Sequence, residues 1–281
     1  MKLTDYNEII EIMRTCGTRG CLKTIAKQFP QYSYNTLVSI YCQDIQKKTR
    51  KSHHKHHKPE VMEDYYQRYL KGISQACKEP VLLRLAEEVD LSQSLLARIV
   101  LERHLAHHKY EGNNPPKSIV SQLMKDTSAI EDPVLAFEVK QCILNDADYG
   151  PLVDNIKHSV GAEYEFILQE KLHNRGLAFL GEDDMRSLGY DKTPDIKLEV
   201  PIAVDGCIVN WIESKASFGD QYSHNIYLKD QFWSYQNRSK SNGHVWYLQQ
   251  PFTFRKILVL WDLAINKWIA ISREIVTVNL T

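Results

Sequence analysis

The sequence predicts an α+β chain, with α/β character in its second half. An all-helical N-terminal region bearing two helix-turn-helix units precedes an αβββαβ core on a mixed sheet. Three observations predict this. Apolar residues recur at three- and four-residue steps from Thr4 to about Tyr110, where strand signals are absent. The periodicity changes after Asp148-Tyr149-Gly150-Pro151. Two alternating, β-branched segments then flank Asp205-Gly206, the strongest short hairpin signal in the chain.

The helical region shows an internal similarity. Ile25-Ala26, Ser33, Leu37 and Ile40 reappear as Leu85-Ala86, Ser92, Leu96 and Ile99, with one residue fewer in the turn. In each copy a short helix ends, a Ser suited to N-capping follows, and a second helix begins. This is helix-turn-helix spacing, shared with any small three-helix bundle. If the second helices face a nucleic-acid groove, Tyr34, Asn35, Gln93, Ser94 and Arg98 are the polar side chains that reach it.

Between the copies, residues 47–58 hold six Lys or Arg, four His and no acid, a composition that cannot bury itself. A solvated helix end, a phosphate contact and a nuclear import signal all fit. His53, His54, His56 and His57 lack Cys partners at zinc-finger spacing and make a poor structural metal site.

The pattern divides the chain into a helical domain at 1–112, a helical linker at 113–150 opened by Asn113-Asn114-Pro115-Pro116, and a second domain at 151–281. In that domain a helix runs to Arg175 and Leu177–Leu180 reads as a strand. The hairpin strands follow at Ile196–Val204 and Cys207–Ala216. A helix near Ile226–Arg238 precedes strands at Val245–Leu248, Lys256–Asp262 and Trp268–Ser272. The acidic run Glu182-Asp183-Asp184 reads as a solvated loop.

Composition narrows the function. Lys plus Arg equals Asp plus Glu at 35 each. The halves differ, however: residues 1–110 carry 18 basic and 12 acidic side chains, and 111–281 carry 17 and 23. The zero is a cancellation. No run approaches the ~20 apolar residues of a membrane helix, since Ile257–Ile265 is short and broken by Asp262. The polar N-terminus has no apolar signal-peptide core, and the six scattered Cys form no C-x-x-C pair, so an intracellular chain with reduced thiols is expected.

The chemistry concentrates on the hairpin. Thr193-Pro194-Asp195 opens its first strand and Trp211-Ile212-Glu213-Ser214-Lys215 closes its second. Glu213 and Lys215, two apart on a strand, share a face. Two carboxylates holding a divalent cation beside a lysine form a compensated buried group. Asp195, Glu213 and the main-chain carbonyl between Glu213 and Lys215 suit magnesium, or manganese in its place.

Thr193-Pro194-Asp195 followed by Glu213-x-Lys215 resembles the signature of the PD-(D/E)XK nuclease superfamily, whose restriction-endonuclease-like core is αβββαβ. Gly161-x-x-x-Glu165 with Leu172 and Gly176 is similar to the first core helix of archaeal Holliday-junction resolvases. Gln231-Phe232-Trp233-Ser234-Tyr235 resembles a Gln/Tyr motif on the second core helix of some branches. The superfamily resemblance covers residues 159–262.

It implies magnesium-dependent phosphodiester hydrolysis on DNA of branched or otherwise structured form. Asp195 and Glu213 would ligate the metal, and Glu165 would bind it directly or through water. Lys215 would orient or deprotonate the attacking water. Gln231 and Tyr235 would steady the DNA backbone or the lysine; an amphipathic helix face explains those two equally well. The resemblance of the whole chain further implies codanin as a protein partner, nuclear and cytoplasmic location, and a link to erythroid differentiation. A nuclease fold kept as a catalytically weak or inactive interaction partner is the alternative. The superfamily includes homodimers, and no patch in the sequence decides that point.

Two departures stand out. Ser214 occupies a position usually apolar in the superfamily. With Asp205-Gly206 as a two-residue loop, paired positions sum to 411. Asp195 then lies across from Ala216, on the face opposite Glu213 and Lys215. A bulge near Val200-Pro201, an odd-length loop or an irregular strand start is therefore required for the three to converge.

Overall fold

The computed structural model describes residues 1–75, 79–191, 193–204, 207–227, 229–230, 244–249, 258–262 and 267–271. The helices are α1 (Leu3–Cys16), α2 (Cys21–Gln28), α3 (Tyr34–His56), α4 (Pro59–Ser74), α5 (Val81–Glu88), α6 (Gln93–His108), α7 (Lys117–Lys125), α8 (Pro133–Asn145) and α9 (Pro151–His173). Then come β1 (Phe179–Gly181), α10 (Glu182–Ser187), β2 (Ile196–Val204), β3 (Cys207–Lys215), α11 (Gln221–Tyr227), β4 (His244–Gln249), β5 (Leu258–Asp262) and β6 (Lys267–Ile271). The fold is α+β. No helix among the described residues is long and apolar enough to cross a membrane.

Two compact units form, one of residues 1–43 with 159–281 and the other of residues 44–158. The divisions fall inside α3 and α9, and differ from the expected boundaries at 112 and 150. The physical reason lies at a loop after β3. Phe218 is 6% exposed and stacks on Tyr6 of α1, ring centroids 5.7 Å apart. Its N–H donates to Ser39 Oγ (2.9 Å) and its carbonyl accepts from Gln43 Nε2 (2.5 Å), both on α3. Tyr6 Oη donates to Asp220 (3.3 Å). The first helices are thus tied to the end of a strand some 175 residues away.

In this unit the main sheet has the order β1-β2-β3-β4. β1 with β2 and β2 with β3 pair antiparallel, while β4 runs parallel to β3. Leu168 and Leu172 of α9 pack against Ile196, Leu198, Val209 and Ile212. β5 and β6 pair in a separate two-stranded sheet.

The hairpin register shifts midway. Near the turn, Val204, Ala203 and Ile202 pair with Cys207, Ile208 and Val209, each summing to 411 as the sequence predicts. Farther along, Lys197 pairs with Trp211 and Ile196 with Ile212, summing to 408. Leu198-Glu199-Val200-Pro201 therefore face Asn210 alone. An odd offset exchanges the two faces of β2 relative to β3. Pro201 has no N–H to give a ladder, and Val200 is solvent-exposed, so the irregularity costs few hydrogen bonds.

The second unit is held by two buried acids of α8 and its C-terminal end. Glu138 accepts the N–H groups of Val81 (3.0 Å) and Leu82 (2.9 Å), capping α5. Asp146 accepts the N–H of Ser94 (2.9 Å), the Ser92 hydroxyl, and the N–H groups of Asp148 and Tyr149 (2.9 Å each). Ser33 caps α3 as expected, receiving the Thr36 N–H (3.2 Å). Ser92 instead donates to Asp146, which takes over the cap of α6.

The groove-reading role for α6 is corrected here. Leu96, Ala97, Ile99, Val100, Leu101, Leu105 and Ala106 are all buried, which makes α6 a central core helix. Ser94 is buried too, Gln93 is half-buried, and Arg98 pairs with Glu102 (3.2 Å) and Ser121 (3.0 Å). Tyr34 and Asn35, on the first turn of α3, are exposed. The basic run forms the C-terminal part of α3 with Arg50, Lys51 and Lys55 exposed, while His56 is buried against the Tyr65 hydroxyl (2.8 Å).

Replacing Glu138 by Ala strands two buried N–H groups at the start of α5. The expected loss is about 2–4 kcal/mol of stability in urea unfolding, with Glu138→Gln losing roughly half as much. A change below about 0.5 kcal/mol in the Ala variant would remove the capping role.

Candidate active site

Pro194 is buried and fixes the entry to β2, where Asp195 sits one step beyond the Ile196–Ile212 pair. The shifted ladder, extended that one step, sets Asp195 across from Glu213. The side chains follow: the Ser214 N–H donates to Asp195 Oδ2 (2.5 Å), and the Asp195 N–H donates to Glu213 Oε2 (3.3 Å). Lys215 Nζ donates to Glu213 Oε1 and lies 5.5 Å from the ring centroid of Tyr227 on α11. Glu213 is 2% exposed. The structure therefore brings Asp195, Glu213 and Lys215 together, and the bend needed for it lies between Lys197 and Ile202.

The electrostatics follow from crowding two carboxylates in a buried place with one ammonium. Burial, then the charge of Asp195, pushes Glu213 up to about 7 against the opposing pull of Lys215. Burial also raises Asp195; the Ser214 N–H and Lys215 oppose this, and the charge of Glu182 adds to it. Burial alone would lower Lys215, but Glu213 and Asp195 outweigh it and hold the ammonium above its ordinary range. With all three ionised the cluster carries one uncompensated negative charge. A hard divalent cation removes that excess, and magnesium is commonly held by one or two carboxylates with waters completing its shell. The donor set fits.

The third expected ligand behaves differently. Glu165 of α9 is half-buried, one turn before Leu168 on the helix side packed against the sheet. Yet no three His, Cys, Asp or Glu side chains converge as a metal-binding group among the described residues. Gln231 and Tyr235 lie outside the described residues.

Two neighbours escaped the sequence reading. Glu182 is not in a loop but opens α10. It accepts the Thr193 hydroxyl (3.1 Å) and pairs with Arg186 (2.6 Å), which ties the Thr-Pro-Asp segment to this helix. The signal was present: three acids in a first turn and an Arg four residues after Glu182 are a helix start, and in the structure Asp184 accepts the Gly181 N–H (3.0 Å). Tyr227 had no comparable signal. Its place beside Lys215 is set by α11, which follows β3 through a loop.

The Thr-Pro-Asp segment of this α+β chain, set against a Glu-x-Lys strand, lies within a TPD sequence-motif region. Residues 131–249 match the sequence-family description "Protein of unknown function TPD sequence-motif". Relatives named "CDAN1-interacting nuclease 1" match over most of their length. The Xenopus laevis protein is 53% identical over 83% of this chain and 77% of its own. The human protein is 52% identical over 83% of both, and the Gallus gallus protein 48% over 85% and 84%. The chain belongs to the CDAN1-interacting nuclease 1 family. No solved structure matches it.

The raised Glu213 sets a pH dependence. Between its ordinary value of 4.5 and about 7, the folded protein keeps a proton that the unfolded chain has released. Stability therefore falls as pH rises through that window, and the full loss persists above it. Without divalent cations at pH 8, Glu213→Gln should stabilise the protein by about 2 kcal/mol, since Asp195 remains as counter-ion to Lys215. At pH 5 the gain should nearly vanish. A thermal-unfolding midpoint lower than wild type at pH 8 would contradict the crowding.

Proposed function

We propose that the chain is a metal-dependent nuclease with a PD-(D/E)XK-type core, hydrolysing phosphodiester bonds in branched or otherwise structured DNA. It acts with codanin. The observation that carries this reading is the register shift that sets Asp195 beside Glu213 and Lys215. The element order α9, β1, β2, β3, α11, β4, with α10 inserted, supports the same core. The relatives' printed name, with both a nuclease and an interaction in it, supports the partner.

Asp195, Glu213 and the Ser214 carbonyl would hold magnesium or manganese, with Glu165 reaching it through water. The cation, when bound, supplies charge stabilisation at the phosphate and an activated water. Asp195 is itself oriented by the Ser214 N–H, so its second oxygen stays available. Lys215, kept protonated by Glu213, donates N–H groups to a phosphate oxygen or the attacking water. This favours an orienting role over that of a base. Gln231 and Tyr235 would steady the backbone of the DNA. The acidic balance of residues 111–281 argues against a wide cationic channel on that half alone. The exposed lysines and Arg50 of α3 supply phosphate contacts. Nuclear and cytoplasmic location accords with this substrate.

A second reading is an interaction module with weak or no catalysis. It draws on the pair of carboxylates that converge where a third was expected.

One assay separates them. Wild type with magnesium should cut branched or flapped DNA in preference to linear duplex. Asp195→Ala, Glu213→Ala and Lys215→Ala should each lose at least about 100-fold in rate. Equal traces of cleavage in all four samples would leave the interaction module standing.

A further inference from the structure

The C-terminal end of α6 carries His104, His107 and His108, and beneath them on α4 lies Tyr66, 2% exposed. Tyr66 Oη is 3.3 Å from His104 Nδ1 and 3.3 Å from His108 Nε2. Those two imidazoles are four residues apart on one helix, with ring centroids 4.4 Å apart. The phenol proton goes to one of these nitrogens, and the other nitrogen meets an oxygen lone pair. Around a tetrahedral cation with bonds of about 2.0–2.1 Å, neighbouring donor atoms are about 3.3–3.4 Å apart. The two oxygen-to-nitrogen distances here match that edge.

The surroundings are arranged for the same end. The His107 ring stacks on Tyr66 at 5.2 Å. His107 Nε2 is held 3.0 Å from Glu63, whose carboxylate is gripped by Arg103 at 2.7 Å and by Gln67 at 2.8 Å. This fixes one wall of the cluster. Burial, then the neighbouring His108, pulls the His104 imidazole below its ordinary range against the opposing charges of Asp132 and Glu131, which leaves a neutral ring with a lone pair to offer. His108 is exposed, which gives an entry path.

We propose that His104 Nδ1, His108 Nε2 and Tyr66 Oη form a binding site for a borderline transition-metal cation of the Zn2+ or Co2+ type, its fourth position open to solvent. Binding deprotonates the phenol: the cation gains the phenolate oxygen and two neutral imidazole nitrogens, and the proton passes to solvent. The alternative imidazole pair, His53 and His57, is less suited: the rings lie face to face at 3.8 Å and His57 Nδ1 is committed to the His53 carbonyl (3.0 Å). The inference is independent of the nuclease reading and uses only residues of the 44–158 unit.

The test is Co2+ titration of the full chain, free of any polyhistidine tag, followed by visible absorption and by proton release in weak buffer. Wild type should show the intense bands of tetrahedral Co2+ at one equivalent, with one proton released beyond any from the imidazoles. His108→Ala, at an exposed position that the fold does not need, should weaken binding at least about 100-fold; Glu63→Gln should weaken it about 10-fold. Tyr66→Phe should abolish the extra proton and shift the bands. A double His53→Ala, His57→Ala variant should match wild type. Absence of the tetrahedral bands from wild type, tetrahedral bands that survive in His108→Ala, or tetrahedral bands lost in the double variant would each overturn the site.

Discussion

The candidate active site depends on one constraint: the odd offset in the β2–β3 ladder. A continuous two-residue hairpin would leave Asp195 and Glu213 on opposite faces, with one carboxylate in the apolar core beside α9 and no partner. Four residues of β2 facing Asn210 alone reverse that parity over the span of a few residues. The turn side of the hairpin keeps the pairing that its sequence dictates, and the open side gains the pairing that the chemistry needs. Pro201 makes the strand poor at continuing its ladder at the very place where it departs from it.

The same region shows how far sequence reading reaches. Parity arithmetic needs only a turn and two strand lengths, so the need for a bulge, an odd-length loop or an irregular strand start was legible from Asp205-Gly206 and the spacing of Asp195, Glu213 and Lys215. Its size was not, because a shift of one or of three residues satisfies parity equally. The strands themselves were legible to within two residues from alternation. Glu182 was missed because local charge density dominated the reading, whereas the helix start at Gly181 and the hydroxyl of Thr193 give that acid a fixed place. Tyr227 lies beyond local reasoning, since no sequence period reports where a chain returns after a loop.

The helical half teaches the complementary lesson. A repeated turn with a capping Ser occurs both in groove-reading modules and in ordinary bundles, and periodicity cannot separate them. What separates them is the residues around α6. Its apolar side chains encircle it, and two buried acids from α8 and the turn after it meet the N-terminal N–H groups of α5 and α6. A helix capped by a core carboxylate, with apolar side chains buried around most of its first three turns, is a structural pillar. The apolar positions of α6 announced that burial, since Leu96, Ala97, Ile99, Val100 and Leu101 leave almost no polar stripe. The compact units also depart from boundaries drawn at a linker and a change of period: Tyr6, Ser39 and Gln43 find their partners at residues 218–220, across an interval no local pattern spans.

That long-range tie bears on how the protein is made. On the ribosome, α1 and the start of α3 emerge well before Phe218 exists, so their apolar surfaces wait through the synthesis of some 175 further residues. Residues 44–158, being continuous, can collapse during that interval. The nascent chain thus matures from its middle outward, and a stalled or shortened translation product would expose the earliest helices to chaperones instead of to their own sheet.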